Sequence, residues 1–131
     1  MSQSIHQEIT CKATPEAIYT ALTNTEQFKV LTGGAPTEIS REAGGAFSCF
    51  GGMIEGRNIE LVPGQRIVQA WRVKNWEPGV YSIAKFELKA ENADTRLVFD
   101  HTGFPEEHRE HLEKGWHDNY WGPLNKYISQ N

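Results

Sequence analysis

The side chains able to do chemistry are few and scattered. His108 and His111 stand three residues apart and Glu107 four before His111, so a helix would put them near one face, as part of a metal site. His117 falls on a different part of the same helix. No Cys-x-x-Cys or His-Glu-x-x-His accompanies them, and they read as solvated first-turn side chains. Asp100-His101 suggests acid–base work, but neighbours on a strand point to opposite faces and cannot act together on one substrate. Cys11 and Cys49 have no nucleophile context and read as buried, reduced thiols. The glycines at 44–45, 51–52 and 56 lack the strand–loop–helix setting of a phosphate site and read as turn and bulge residues. No nucleophile, base and oxyanion donor converge, so the expectation is a protein that is not an enzyme and needs neither metal nor cofactor.

Binding is the chemistry that remains. Phe47, Trp71, Phe86, Phe99, Trp116 and Tyr120 fall on predicted strands or the last helix, where they can face one another. Such a set either lines an apolar cavity with Tyr and Trp tips to orient a ligand, or fills a core. Trp76 stands apart in a turn beside Glu77-Pro78-Gly79, to fold back on the sheet edge or to meet a partner.

The elements that would carry these residues follow from pattern and punctuation. Ile5, Gln7, Ile9 and Cys11 alternate with polar residues as a half-buried strand. Thr14 caps a short helix with Pro15 at its first position and Ala17, Ile18, Ala21 and Leu22 as its stripe. Thr23 and Glu26 have capping-box spacing for a second short helix carrying Phe28 and Leu31, which Gly33-Gly34 ends. Six strands are then expected at 37–42, 46–50, 53–62, 65–74, 80–90 and 95–103, joined by tight turns. From Pro105 onward a long helix shows Leu112, Trp116, Tyr120, Leu124 and Ile128 every fourth residue, with Tyr127 beside them and a bend expected at Gly122-Pro123.

Strand, two short helices, six strands and a long helix describe an α+β helix-grip fold. A curved antiparallel sheet of about seven strands wraps one long C-terminal helix, with a cavity between them. The 131 residues read as a single domain, 1–131, with no linker, repeat or low-complexity stretch, and apolar content of 38% and charged content of 23% suit a globule. A net charge of −4 excludes non-specific nucleic-acid binding, which needs a basic surface. No apolar run approaches the ~18 residues needed to cross a bilayer, so no membrane partner is expected. Residues 1–8 show no basic, apolar leader pattern, and the expectation is a cytoplasmic protein.

Several local motifs resemble the START-related (SRPBCC) superfamily, and within it the C-terminal domain of the activator of the heat-shock protein 90 ATPase. They begin with Ala13-Thr14-Pro15-Glu16-Ala17-Ile18-Tyr19 and Leu22-Thr23, then Phe50-Gly51-Gly52 and Gly56. The strand–turn–strand from Leu61 through Pro63-Gly64 to Trp71-Arg72 follows, then Trp76 with Pro78-Gly79, Thr95-Arg96-Leu97, and Gly115-Trp116, Tyr120 and Leu124. Glu77 departs from the family pattern, which often has proline directly after the tryptophan. The resemblance implies a binding protein, with a small hydrophobic ligand held in the cavity. Its alternative is a co-chaperone of the stress response that docks on a heat-shock protein 90-type chaperone and stimulates its ATPase. The eukaryotic activators carry most chaperone-stimulating contacts on a separate N-terminal domain, which the matched motifs do not include. Cyclase- or hydrolase-like catalysis is a third reading, with His101 and Tyr120 as its suppliers of polar groups.

Overall fold

The computed structural model describes residues 4–129. Seven strands form one antiparallel sheet in the order β1-β7-β6-β5-β4-β3-β2. They are β1 (Ser4–Cys11), β2 (Glu38–Ile39), β3 (Ala46–Cys49), β4 (Ile54–Val62), β5 (Arg66–Val73), β6 (Ser82–Glu91) and β7 (Asp94–Thr102). The first and second strands lie at opposite edges, so the helices between them cross from one edge of the sheet to the other. Burial alternates along β5, β6 and β7, which puts Ile67, Gln69, Trp71, Phe86, Leu88, Leu97, Phe99 and His101 on one covered face. The ladder between β1 and β7 runs unbroken from Ser4↔Thr102 to Cys11↔Thr95, while β4 carries a register shift between Asn58 and Glu60. This is the helix-grip architecture expected from the order of elements.

Helix α1 (Pro15–Thr23) is capped by Thr14, whose hydroxyl accepts from the Ala17 amide. It buries Ile18, Ala21 and Leu22, whereas Ala17 is exposed. Helix α2 (Thr25–Leu31) buries Phe28 and Leu31, and Gly33 and Gly34 close it at φ 95° and 94°. Its cap is Asn24, whose side chain accepts from the Gln27 amide; Thr23 remains the last residue of α1 and donates to the Tyr19 carbonyl. The expected capping box is therefore shifted by one residue, onto an amide side chain of equal capping strength. The strand expected at 37–42 is only Glu38–Ile39, because the Thr25 hydroxyl both accepts from the Ile39 amide and donates to its carbonyl. That hydroxyl satisfies the sheet edge where another strand would otherwise pair.

The C-terminal helix is not one regular α-helix. A 3-10 turn (Glu106–His108) leads into α3 (Arg109–Gly115), a π-helical stretch (Trp116–Trp121) and α4 (Gly122–Ser129). Pro123 has no amide hydrogen, and its ring would crowd the carbonyl four residues back in a regular helix. The chain widens ahead of it, with the Gly122 amide bonding the His117 carbonyl five residues back. The disturbance is thus a wide turn beginning at Trp116, where the sequence pattern led to a bend at Gly122-Pro123.

The wide turn decides what the helix buries. At α-helical spacing Trp121 points away from the stripe of Leu112, Trp116, Tyr120 and Leu124. With five residues in the turn it lies over Trp116, ring centroids 5.7 Å apart and 21° between planes. Both indoles are buried.

Candidate functional site

Between the helix and the sheet the space is occupied. Trp116 is the hub, with ring centroids 4.2 Å from Phe99, 4.2 Å from Tyr120, 5.2 Å from Trp71 and 5.9 Å from Phe86. Phe47 lies over Gly56, where a Cβ would strike both that ring and the Ala70 carbonyl. All six aromatics expected to wall a cavity are buried, and largely against one another. Phe47, Phe86 and Tyr120 border a void of only about 10 Å³, too small for a ligand. Much of the space expected as a cavity between sheet and helix is therefore core, because Trp121 packs its ring against Phe86, Phe99, Trp116 and Tyr120. An open cleft of about 380 Å³ survives at one end, and of the six only Trp71, Trp116 and Tyr120 reach it.

A buried polar chain runs through the aromatic hub. The Trp116 Nε1–H donates to His101 Nδ1 at 3.1 Å, which leaves the ring proton on Nε2. Nε2 then donates to Ser82 Oγ at 2.7 Å, and that hydroxyl donates to the Trp71 carbonyl at 2.9 Å. Burial holds His101 neutral, its pKa lowered to about 3. Both ring nitrogens are spent on structure, and the neighbouring Asp100 is on the opposite face, bonded to His6 at 2.6 Å. Tyr120 accepts from the Trp71 indole at 3.4 Å, and burial raises its hydroxyl well above the usual value. Burial likewise pushes the Cys11 thiol up to about 11 and the Cys49 thiol up to about 12, the latter partly offset by the Tyr120 hydroxyl. None of these is poised for nucleophilic or acid–base work at neutral pH. Among the described residues no group of three His, Cys, Asp or Glu could hold a metal, and His108 lies parallel to Trp76, 6.2 Å between ring centroids and 9° between planes.

Trp76 is folded back, 6% exposed, with its ring 5.7 Å from Trp71. Arg72 holds it there: its guanidinium donates to the Trp76, Glu77 and Val80 carbonyls and pairs with Glu55 at 2.8 Å. Turn carbonyls that would face an apolar layer gain a charged donor, a strong kind of hydrogen bond. The Trp-Arg pair on β5 was visible in the sequence; that the arginine staples the following turn was not.

The cleft mouth is built differently. Phe50 has φ +55°, followed by Gly51 at 66° and Gly52 at 91°, three left-handed residues in a row. The glycines adopt this freely, but a phenylalanine does so only when its ring is held. The ring sits 5.9 Å from Phe28 and 5.5 Å from Tyr120. Met53 follows, 50% exposed at the lip of the cleft. Neither was singled out from sequence as a site residue, although the triple Phe50-Gly51-Gly52 was a visible signal.

Comparison with known proteins matches residues 12–129 to the family described as "Activator of Hsp90 ATPase homolog 1-like protein". An activator of 90 kDa heat shock protein ATPase homolog from Dictyostelium discoideum is 34% identical over 116 residues, covering 88% of this chain and 30% of that protein. Homolog 1 from Homo sapiens is 30% identical over 120 residues, covering 86% of this chain and 35% of its own length. The chain thus spans about a third of the length of these curated relatives. Among solved structures, an HSP90 activator from Plasmodium falciparum superposes with a TM-score of 0.89 at 24% identity, over 96% of both chains. No helix among the described residues is long and apolar enough to cross a membrane.

Proposed function

The chain belongs to the activator of Hsp90 ATPase homolog 1-like family, and on that premise we propose that it is a non-enzymatic docking module for an Hsp90-type chaperone in the cytoplasm. The observation that best supports this reading is the filled grip. The six aromatics placed where a ligand cavity was expected are buried, and Phe86, Phe99, Trp116 and Tyr120 pack against Trp121, so recognition falls to the surface. The spent nitrogens of His101 and the raised thiols and phenol speak for binding over catalysis. The names of the curated relatives, activators of the 90 kDa heat shock protein ATPase, support a chaperone as the docking partner.

Titration calorimetry with the Hsp90-type chaperone of the same organism tests it. A micromolar complex, about 8 kcal/mol of binding free energy, is the expected result. Absence of binding at ~100 µM, a hundred times that dissociation constant, together with an unchanged chaperone ATPase rate, would sink the proposal.

A second reading rests on the 380 Å³ cleft, which is within the range of small-molecule sites. There a small apolar molecule would lie against Trp71, Trp116 and Tyr120. At a hundred times its dissociation constant such a ligand adds ~2.7 kcal/mol of stability. A thermal-shift screen of fatty acids, sterols and flavonoids with no hit removes this reading.

A further inference from the structure

Resting on the chaperone-docking reading, we propose that the partner is received in a groove across the π-helical stretch, and that the received segment is a short apolar sequence flanked by carboxylates. The 380 Å³ cleft does not end at Phe50 and Asn119. The same two residues also border a second, more open hollow of about 800 Å³, walled by Val30, Gly33, Pro123 and Lys126. The two hollows are neighbours beside the wide turn of the helix, with Phe50 and Asn119 as their common border. Two exposed apolar side chains border them, Met53 at 50% on the first hollow and Val30 at 64% on the second. Apolar side chains flanking a concave floor suit insertion of a partner's aliphatic or aromatic anchors.

Charge selects the kind of segment. The chain carries 17 acidic residues against 13 basic ones, yet the two hollows are bordered by a single carboxylate, Asp118, which Lys114 already pairs. Lys126 borders the second hollow. Lys126 forms no ion pair among the described residues. A groove whose one lining charge outside an ion pair is Lys126, on an acidic protein, attracts an acidic segment and repels a basic one. Two irregularities shape it, the left-handed Phe50 and the π-helical turn, features that recur at functional sites.

Calorimetric titration of the chaperone against Met53→Asp, Lys126→Glu and, remote from the groove, Ile59→Asp tests the placement, with melting curves to show that each variant is folded. Weakening of about tenfold or more by each groove variant, and less than about twofold by Ile59→Asp, is expected. Groove variants that bind like the parent would overturn the groove while leaving the docking reading intact. If the parent itself does not bind the chaperone, the docking reading fails and a second arm judges the groove alone. Peptides selected from a phage-displayed random library on the parent protein should then combine apolar anchors with Asp or Glu, and lose capture on Met53→Asp. Selection of basic peptides, of peptides indifferent to that substitution, or of none overturns the groove as well.

Discussion

The two ends of the long helix's contact with the sheet solve opposite problems. Around Trp116 every ring meets other rings, every polar atom has a partner, and the His101–Ser82–Trp71 chain fixes one arrangement. From Phe50 to Gly52 the backbone is left-handed, Met53 stands exposed beside it, and the surface opens into two hollows. One region holds the fold together and the other is free to recognise. A binding domain needs both, since a receptor surface keeps its shape only on a scaffold that does not yield.

The contrast predicts a steep gradient of mutational cost. Trp116→Ala removes the hub and should cost ~3–5 kcal/mol, a large part of the ~5–15 kcal/mol of a typical domain. Urea denaturation should show a marginal or unfolded protein, and an unmoved midpoint would refute the hub. Next comes acid. His101 has its pKa lowered by burial from 6.5 to about 3, so between those values the unfolded chain binds a proton that the folded one refuses. Stability is therefore full above pH 6.5 and falls as the pH drops towards 3, by about 1.4 kcal/mol per pH unit from this one group. Asp100 and Glu8 raise the pKa of the exposed His6, so its small contribution has the opposite sense, fading as the pH rises above the ordinary histidine value. A denaturation midpoint flat from pH 6.5 to pH 4.5 would contradict the neutral, buried imidazole.

At the mouth the effects shrink. Gly51→Ala places a side chain at φ +66° with only Pro36 Cδ, 3.9 Å away, near its Cβ, so backbone strain alone remains, ~1–2 kcal/mol. Met53→Ala should change stability by less than ~0.5 kcal/mol, as an exposed side chain does. A loss of ~2 kcal/mol at Met53 would mean that the mouth is core after all. Smallest of all is chelation: a strong chelator should leave the melting temperature unchanged, because no described cluster suits a metal.

What the sequence disclosed follows the same line. Strand alternation, the Thr14-Pro15 helix start and the Gly33-Gly34 stop are local signals, and the structure keeps them. The six aromatics were correctly read as inward-facing, because period and residue type decide that. Whether they leave a cavity turned on Trp121, which α-helical periodicity directs outward and the π-helical turn brings in. Trp76 depended on Arg72, four residues away and useful only once the turn has formed. Phe50 was hidden for a related reason: no propensity rule places a phenylalanine at positive φ, and only its packing on Phe28 and Tyr120 does.

The most direct test of the account is amide chemical-shift mapping of the labelled protein during titration with the Hsp90-type chaperone. Shifts or broadening should be confined to Val30–Gly33, Phe50–Met53 and His117–Lys126, with the amides of Ile83–Leu88 on β6 unmoved. Perturbations centred on the outer sheet face near Tyr81 and Ile83, or none at saturating chaperone, would contradict it.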